Sequence, residues 1–132
     1  IRFGGLMIYY FPGMVVGMIL LQTAIVAPVL FKTLEIGDFG RSIRKLWPKF
    51  FASLAIVGLL GTMVLWIEGV SGINLYAITI LTFVLSSVCY LIIPATNKAT
   101  DEGNQKRFDF LHRMSVSFTV VMLISNLIFF FL

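Results

Sequence analysis

The sequence is poor in nearly everything a water-soluble domain uses at its surface. Only 12% of its 132 residues are charged, while 59% are hydrophobic, and the mean hydropathy is +1.00. An average soluble domain carries about 25% charge, so this chain cannot cover a surface against water. A single cysteine, Cys89, excludes an internal disulfide and any zinc site of the multi-cysteine kind. Lying within an apolar run, it reads as a small packing residue. Histidine is just as scarce, with His112 standing alone. There is no glycine-rich phosphate cradle, no nucleophile with a base and an orienting group, and no carboxylate pair inside an apolar run. Ionisable residues are also missing from the middle of the apolar runs, where proton-coupled transporters keep one. The chain is therefore expected not to be an enzyme.

What is present is four long apolar stretches, each near the roughly 20 residues needed to cross the hydrocarbon layer. They imply an all-α fold: a polytopic membrane protein, one domain over residues 1–132, built as a four-transmembrane-helix bundle. The helices are expected at about 6–31, 50–67, 75–93 and 105–132. The first run is too long for the apolar part of a cleavable signal peptide. The chain begins at Ile1 rather than methionine, which leaves room for preceding residues.

Within the first span, Tyr9, Tyr10 and Phe11 read as an interfacial aromatic belt, and Gly13 and Gly17 form a GxxxG pair that would admit another backbone. Gln22 is its one strongly polar deep residue, and Pro28 should bend its last turns. In the first loop, Asp38 is placed to cap a short amphipathic helix. Phe39, Ile43, Leu46 and Trp47 share one face of it, and Arg41, Arg44 and Lys45 take the other. Such a helix is expected to lie in the interface plane, with Pro48 in the first turn of the next span. In the second span Ala55, Gly58 and Thr62 form a small-residue face for close packing.

The net charge of +4 does not point to nucleic acid. The basic residues cluster in loops beside the spans, where they set topology and meet lipid phosphates. The positive-inside rule places loops 32–49 and 94–113 in the cytoplasm and both termini outside, with Arg2 and Glu68 at the outer side. The expected setting is a bacterial inner membrane.

The candidate site is a polar seam. His112, Ser115, Thr119, Met122 and Asn126 follow one another at alternating steps of three and four, so they share a face of the last helix. Polar groups facing lipid cost several kcal/mol, so the face must turn inward. Gln22, Thr79, Thr82 and Ser86 are its expected partners, and Cys89 extends the stripe on the third span. The bland role for these groups is helix packing. The alternative is ligation of haem b or copper by His112, with Met18 and Met122 as soft partners. Asp109, nearly one turn before His112, is expected to hold the ring or pair with Arg113.

Several short motifs carry a resemblance: Ala27-Pro28-Val29-Leu30-Phe31, Phe39-Gly40, Leu46-Trp47-Pro48-Lys49-Phe50, Asn97 with Asp101, and Phe108 with Leu111-His112 and Ser115. Together they resemble the transmembrane-protein-205-like domain of unknown function, which is similar in outline to the copper-resistance-protein-D-like superfamily of four-helix membrane proteins. The resemblance spans nearly the whole chain and departs at Thr119, where that family often has asparagine. It implies a largely uncharacterised domain whose superfamily includes copper-handling proteins and a haem-pathway oxidase that uses an early-helix histidine. His112 is the sole histidine, so that activity is not expected here.

These readings lead to a non-enzymatic integral membrane protein, a small accessory or structural subunit of a larger membrane complex, with no cofactor expected. Its partners are the lipid bilayer and other membrane subunits; the run Ile128 to Leu132 has no polar anchor and suits burial against one. The alternatives are a haem or copper binder using His112, and a small transporter using Gln22 or Asn126.

Overall fold

A computed structural model describes residues 5–132, so Arg2 lies outside the described residues. Four helical spans are long and apolar enough to cross a membrane. They are α1 (Met7–Thr33), α2 (Ile36–Ile67), α3 (Ile73–Leu91) continued by the short α4 (Ile93–Asp101), and α5 (Gln105–Phe129). No strand occurs among the described residues.

Helix α1 is irregular where its sequence requires it to be. Pro28 has no N–H to donate and cannot complete a regular ladder. The helix does not end there. It widens into a π-helical turn over Leu21–Val26, closed by the Ala27 N–H donating to the Gln22 carbonyl, and Pro28 opens the next α-helical segment. π-Turns inside α-helices concentrate at functional sites, which draws attention to Gln22.

The second span differs from its sequence expectation. The amphipathic segment is helical, as its spacing requires, but it is not a separate in-plane element: α2 runs unbroken from Ile36 to Ile67 with Pro48 inside it. One proline removes a single backbone bond, that to the Arg44 carbonyl, at a charged end where water can replace the missing donor. Stacking offsets the loss as well, with the Trp47 ring lying against Phe51 at 5.6 Å and 18°. Nor is Asp38 the cap. Glu35 holds that position in extended geometry without a side-chain bond, and Asp38 instead pairs with Arg41 one turn along.

Helices α2 and α3 form the expected antiparallel hairpin. Gly69, at φ 69°, takes the left-handed conformation that ends α2, and the Val70 N–H reaches back to the Leu65 carbonyl at 3.0 Å. The two helices approach most closely at Gly58, where an added Cβ would stand 2.9 Å from the Phe83 nitrogen and 3.0 Å from the Thr79 carbonyl oxygen. Gly61 does the same against α1, 3.1 Å from the Phe11 Cβ. The GxxxG pair is not used this way: a Cβ on Gly17 meets nothing within 4 Å, and one on Gly13 meets only the tip of Phe130 at 3.8 Å.

The second charged loop is also more ordered than expected. Pro94 lies at the start of α4, where its missing N–H costs nothing, so the segment continues as helix to Asp101. Gly103 (φ 69°) then turns the chain, and the Asn104 side chain caps α5 by accepting the Arg107 N–H at 3.1 Å. Arg44 donates to both carboxylate oxygens of Asp101, at 2.5 and 3.2 Å. This pair joins the two charged segments at one end of the bundle. Aromatic packing closes the other end, with Tyr9 against Phe129 and Phe130.

Candidate functional site

The polar seam exists over most of its expected length, and there its members turn inward. Thr79, Thr82 and Ser86 on α3 are 3%, 0% and 0% exposed, and Thr119, Met122 and Asn126 on α5 are 8%, 0% and 1% exposed. Its bonding is more local than the sequence implies. Thr82 donates to the Ile78 carbonyl, Ser86 to that of Thr82, and Thr119 to that of Ser115, at 2.9, 2.5 and 2.8 Å. Each hydroxyl is satisfied one turn back on its own helix, as Ser and Thr in apolar surroundings can be.

Only a few bonds cross between helices. The Asn126 amide donates to Thr82 Oγ1 at 2.9 Å, linking α5 to α3, and also to the Met122 carbonyl at 2.8 Å. The Thr79 hydroxyl is not bonded to α5; it accepts from Thr62 of α2 at 2.8 Å. Thr62 was assigned only to a small-residue face from sequence, since a threonine's hydroxyl is not visible as a partner until register is known. Nearer the charged end, Cys89 Sγ lies 4.0 Å from the Ser115 carbonyl oxygen, a weak contact.

Gln22 stands apart. It is 6% exposed, and its Nε2 has no hydrogen-bond partner. The contacts of Phe11 with Gly61 and of Cys89 with Ser115 set an antiparallel register. That register puts Gln22 at about the level of Phe50, Cys89 and Ser115, on the side of α1 that carries the buried Val15 and Ile19. The expected bond from Gln22 to the α5 face is not made.

His112 leaves the seam. At this turn the buried position of α5 is Leu111, and His112 is exposed, stacked nearly parallel on Phe108 with ring centroids 5.4 Å apart. A hydrophobic residue took the inward position because α5 rotates its face slightly from one turn to the next, a drift that a run of 3- and 4-residue steps conceals. Asp109 does not hold the ring or pair with Arg113; its carboxylate accepts from the Gln105 amide at 2.8 Å.

This geometry does not fit the haem or copper alternative within one chain. Met122 is ten residues beyond His112 on the same helix, about 15 Å along its axis. Met122 is also sealed in the core, with Met18 packed beside that core. No group of three His, Cys, Asp or Glu side chains converges among the described residues.

The outer face of α5 carries a feature not anticipated from sequence. Two adjoining depressions lie there, of about 420 and 430 Å³, both lined by Lys106 and Phe110. The first also takes in Asp109, Arg113, Met114 and Ser117, and the second Asn104 and Arg107.

Among protein families, the one described as a domain of unknown function (DUF4149) matches residues 11–105. No curated protein and no solved structure matches the chain.

Proposed function

The chain belongs to the DUF4149 family, and from that premise and the packing above we propose that it is a non-enzymatic subunit that binds a larger membrane protein. Helix α1 carries this reading. Only 17% of its most apolar stretch is buried, against 39% for α2. Its glycine pair is not used inside the bundle, and Gly17 opens outward between exposed Met14, Leu20 and Leu21. An unfilled small-residue ridge on a membrane helix is the surface that another helix packs against, because close backbone approach replaces the hydrophobic drive that lipid does not supply. Exposed Phe130 and Phe131 widen the apolar surface at the far end.

In this reading the chain sits in a bacterial inner membrane, with the Arg44–Asp101 end in the cytoplasm. The kinship with transmembrane-protein-205-like domains belongs to the same proposal, with His112 and Ser115 as the shared opening of α5. Purification of the tagged chain in mild detergent tests it. Stoichiometric co-purification of another membrane chain, lost in Gly17→Leu with the bundle intact, is the expected result. A monomer without a companion overturns it.

A second reading gives the exposed His112 imidazole one ligand position on a haem or copper, the other ligand coming from the partner chain. An absorption spectrum and metal analysis of the isolated complex decide this, and a band that survives His112→Ala removes it.

A further inference from the structure

We propose that the outer face of α5 at the charged end of the bundle is a binding site for an anionic phospholipid. Its phosphate would sit between Lys106 and Arg113, across Phe110, with its chain running along the helix towards Ile124.

Lys106, Phe110, Arg113 and Ser117 follow at helical spacing and are all exposed, on the side opposite the buried Leu111 and Thr119. The two depressions of about 420 and 430 Å³ lie along this face and meet at Lys106 and Phe110. The cations are unpaired. Among the described residues, ion pairs join Arg41 to Asp38, Arg44 to Asp101 and Lys98 to Glu102, and none includes Lys106, Arg107 or Arg113. Asp109, bonded to the neutral Gln105 amide, keeps its charge, but Lys106, Arg107 and Arg113 outnumber it along the two depressions, which leaves the local charge positive.

Depth agrees with charge. Seven residues separate Lys106 from Arg113, about 10 Å along the axis, comparable to the roughly 5–8 Å headgroup layer on each side of the hydrocarbon. Lys106 thus reaches the aqueous edge while Arg113 marks the hydrocarbon boundary. Phe110, 66% exposed, lies between them, where an aromatic ring suits the interface. Beyond Ser117 the same face continues as exposed Val120, Val121 and Ile124, an apolar track for an acyl chain. Charge complementarity and this track together specify a lipid carrying net negative charge.

The test uses the full chain in phosphatidylcholine vesicles containing a trace of photoactivatable phosphatidylglycerol, with crosslinks mapped by peptide. Labelling is expected to concentrate on the segment from Phe110 to Ser117 and to be competed by unlabelled phosphatidylglycerol far better than by phosphatidylcholine. The double variant Lys106→Gln/Arg113→Gln should lose about tenfold or more of that labelling, since each cation near an anionic surface contributes appreciably. Lys45→Gln/Lys49→Gln removes the same charge at the same end and should keep it. Even labelling around α5, full labelling in the first variant, or equal loss in both variants would overturn the proposal.

Discussion

At the residue scale, Gln22 and His112 exchange the importance that the sequence assigns them. His112 attracts attention as the only histidine, yet it is exposed, and its stacking on Phe108 is worth at most about 1.5 kcal/mol. His112→Ala should therefore shift stability by less than that, measured by denaturant titration in detergent micelles. Gln22 is buried in the π-turn with an unpartnered amide nitrogen. An unsatisfied buried donor costs about 1–3 kcal/mol, so Gln22→Leu should raise stability by about 1 kcal/mol or more in the same titration. A loss would mean that the amide is bonded in the membrane. Burial of Gln22 was readable from its place in an apolar run, and so was the inward turn of Thr82, Ser86 and Asn126. The bonds were not, because a hydroxyl that reaches its own carbonyl one turn back and one that crosses to a neighbour have the same sequence pattern.

At the element scale, the hairpin of α2 and α3 depends on Gly58. Its Cβ position faces backbone atoms of Phe83 and Thr79 rather than flexible side-chain tips, so accommodation requires the helices themselves to separate. Gly58→Ala should destabilise the bundle by about 1–3 kcal/mol, the usual cost of overpacking. Gly17→Ala, into open space, should be neutral or stabilising by up to about 1 kcal/mol through helix propensity. The same unfolding titration compares the two, and equal effects would refute the assigned packing. Glycine spacing in the sequence selected Gly58 correctly through its company with Thr62, and selected the Gly13–Gly17 pair on equal grounds. Spacing defines a ridge, whereas its use depends on which helix faces it. The helix ends were harder to read for a related reason. Pro48 looks like the start of a span, but near a charged, wetted end its single lost bond is too cheap to interrupt α2. Pro94, by contrast, does follow the end of α3 and opens a further helix, α4, instead of a loop.

For the whole molecule, the alternation of apolar and charged segments was enough to establish four spans, since any such stretch must satisfy its backbone internally in lipid. The Arg44–Asp101 pair adds a constraint from tertiary structure, because residues 57 apart in the chain meet only if both charged segments emerge on one side. Both partners remain more than a third exposed, at 38% and 61%, so the pair fixes arrangement more than stability. The turn between α2 and α3 must then open on the other side. Single cysteines placed at Lys45, Lys106 and Ser71 test this with a membrane-impermeant thiol reagent, because Cys89 is fully buried and contributes no background. Lys45→Cys and Lys106→Cys should be labelled from one side of sealed vesicles and Ser71→Cys from the other. If Lys45→Cys and Lys106→Cys instead react from opposite sides, the two charged ends cannot meet and the bundle's topology is wrong. If all three react equally from both sides, the chain inserts in two orientations, and the charge asymmetry between its ends does not direct it.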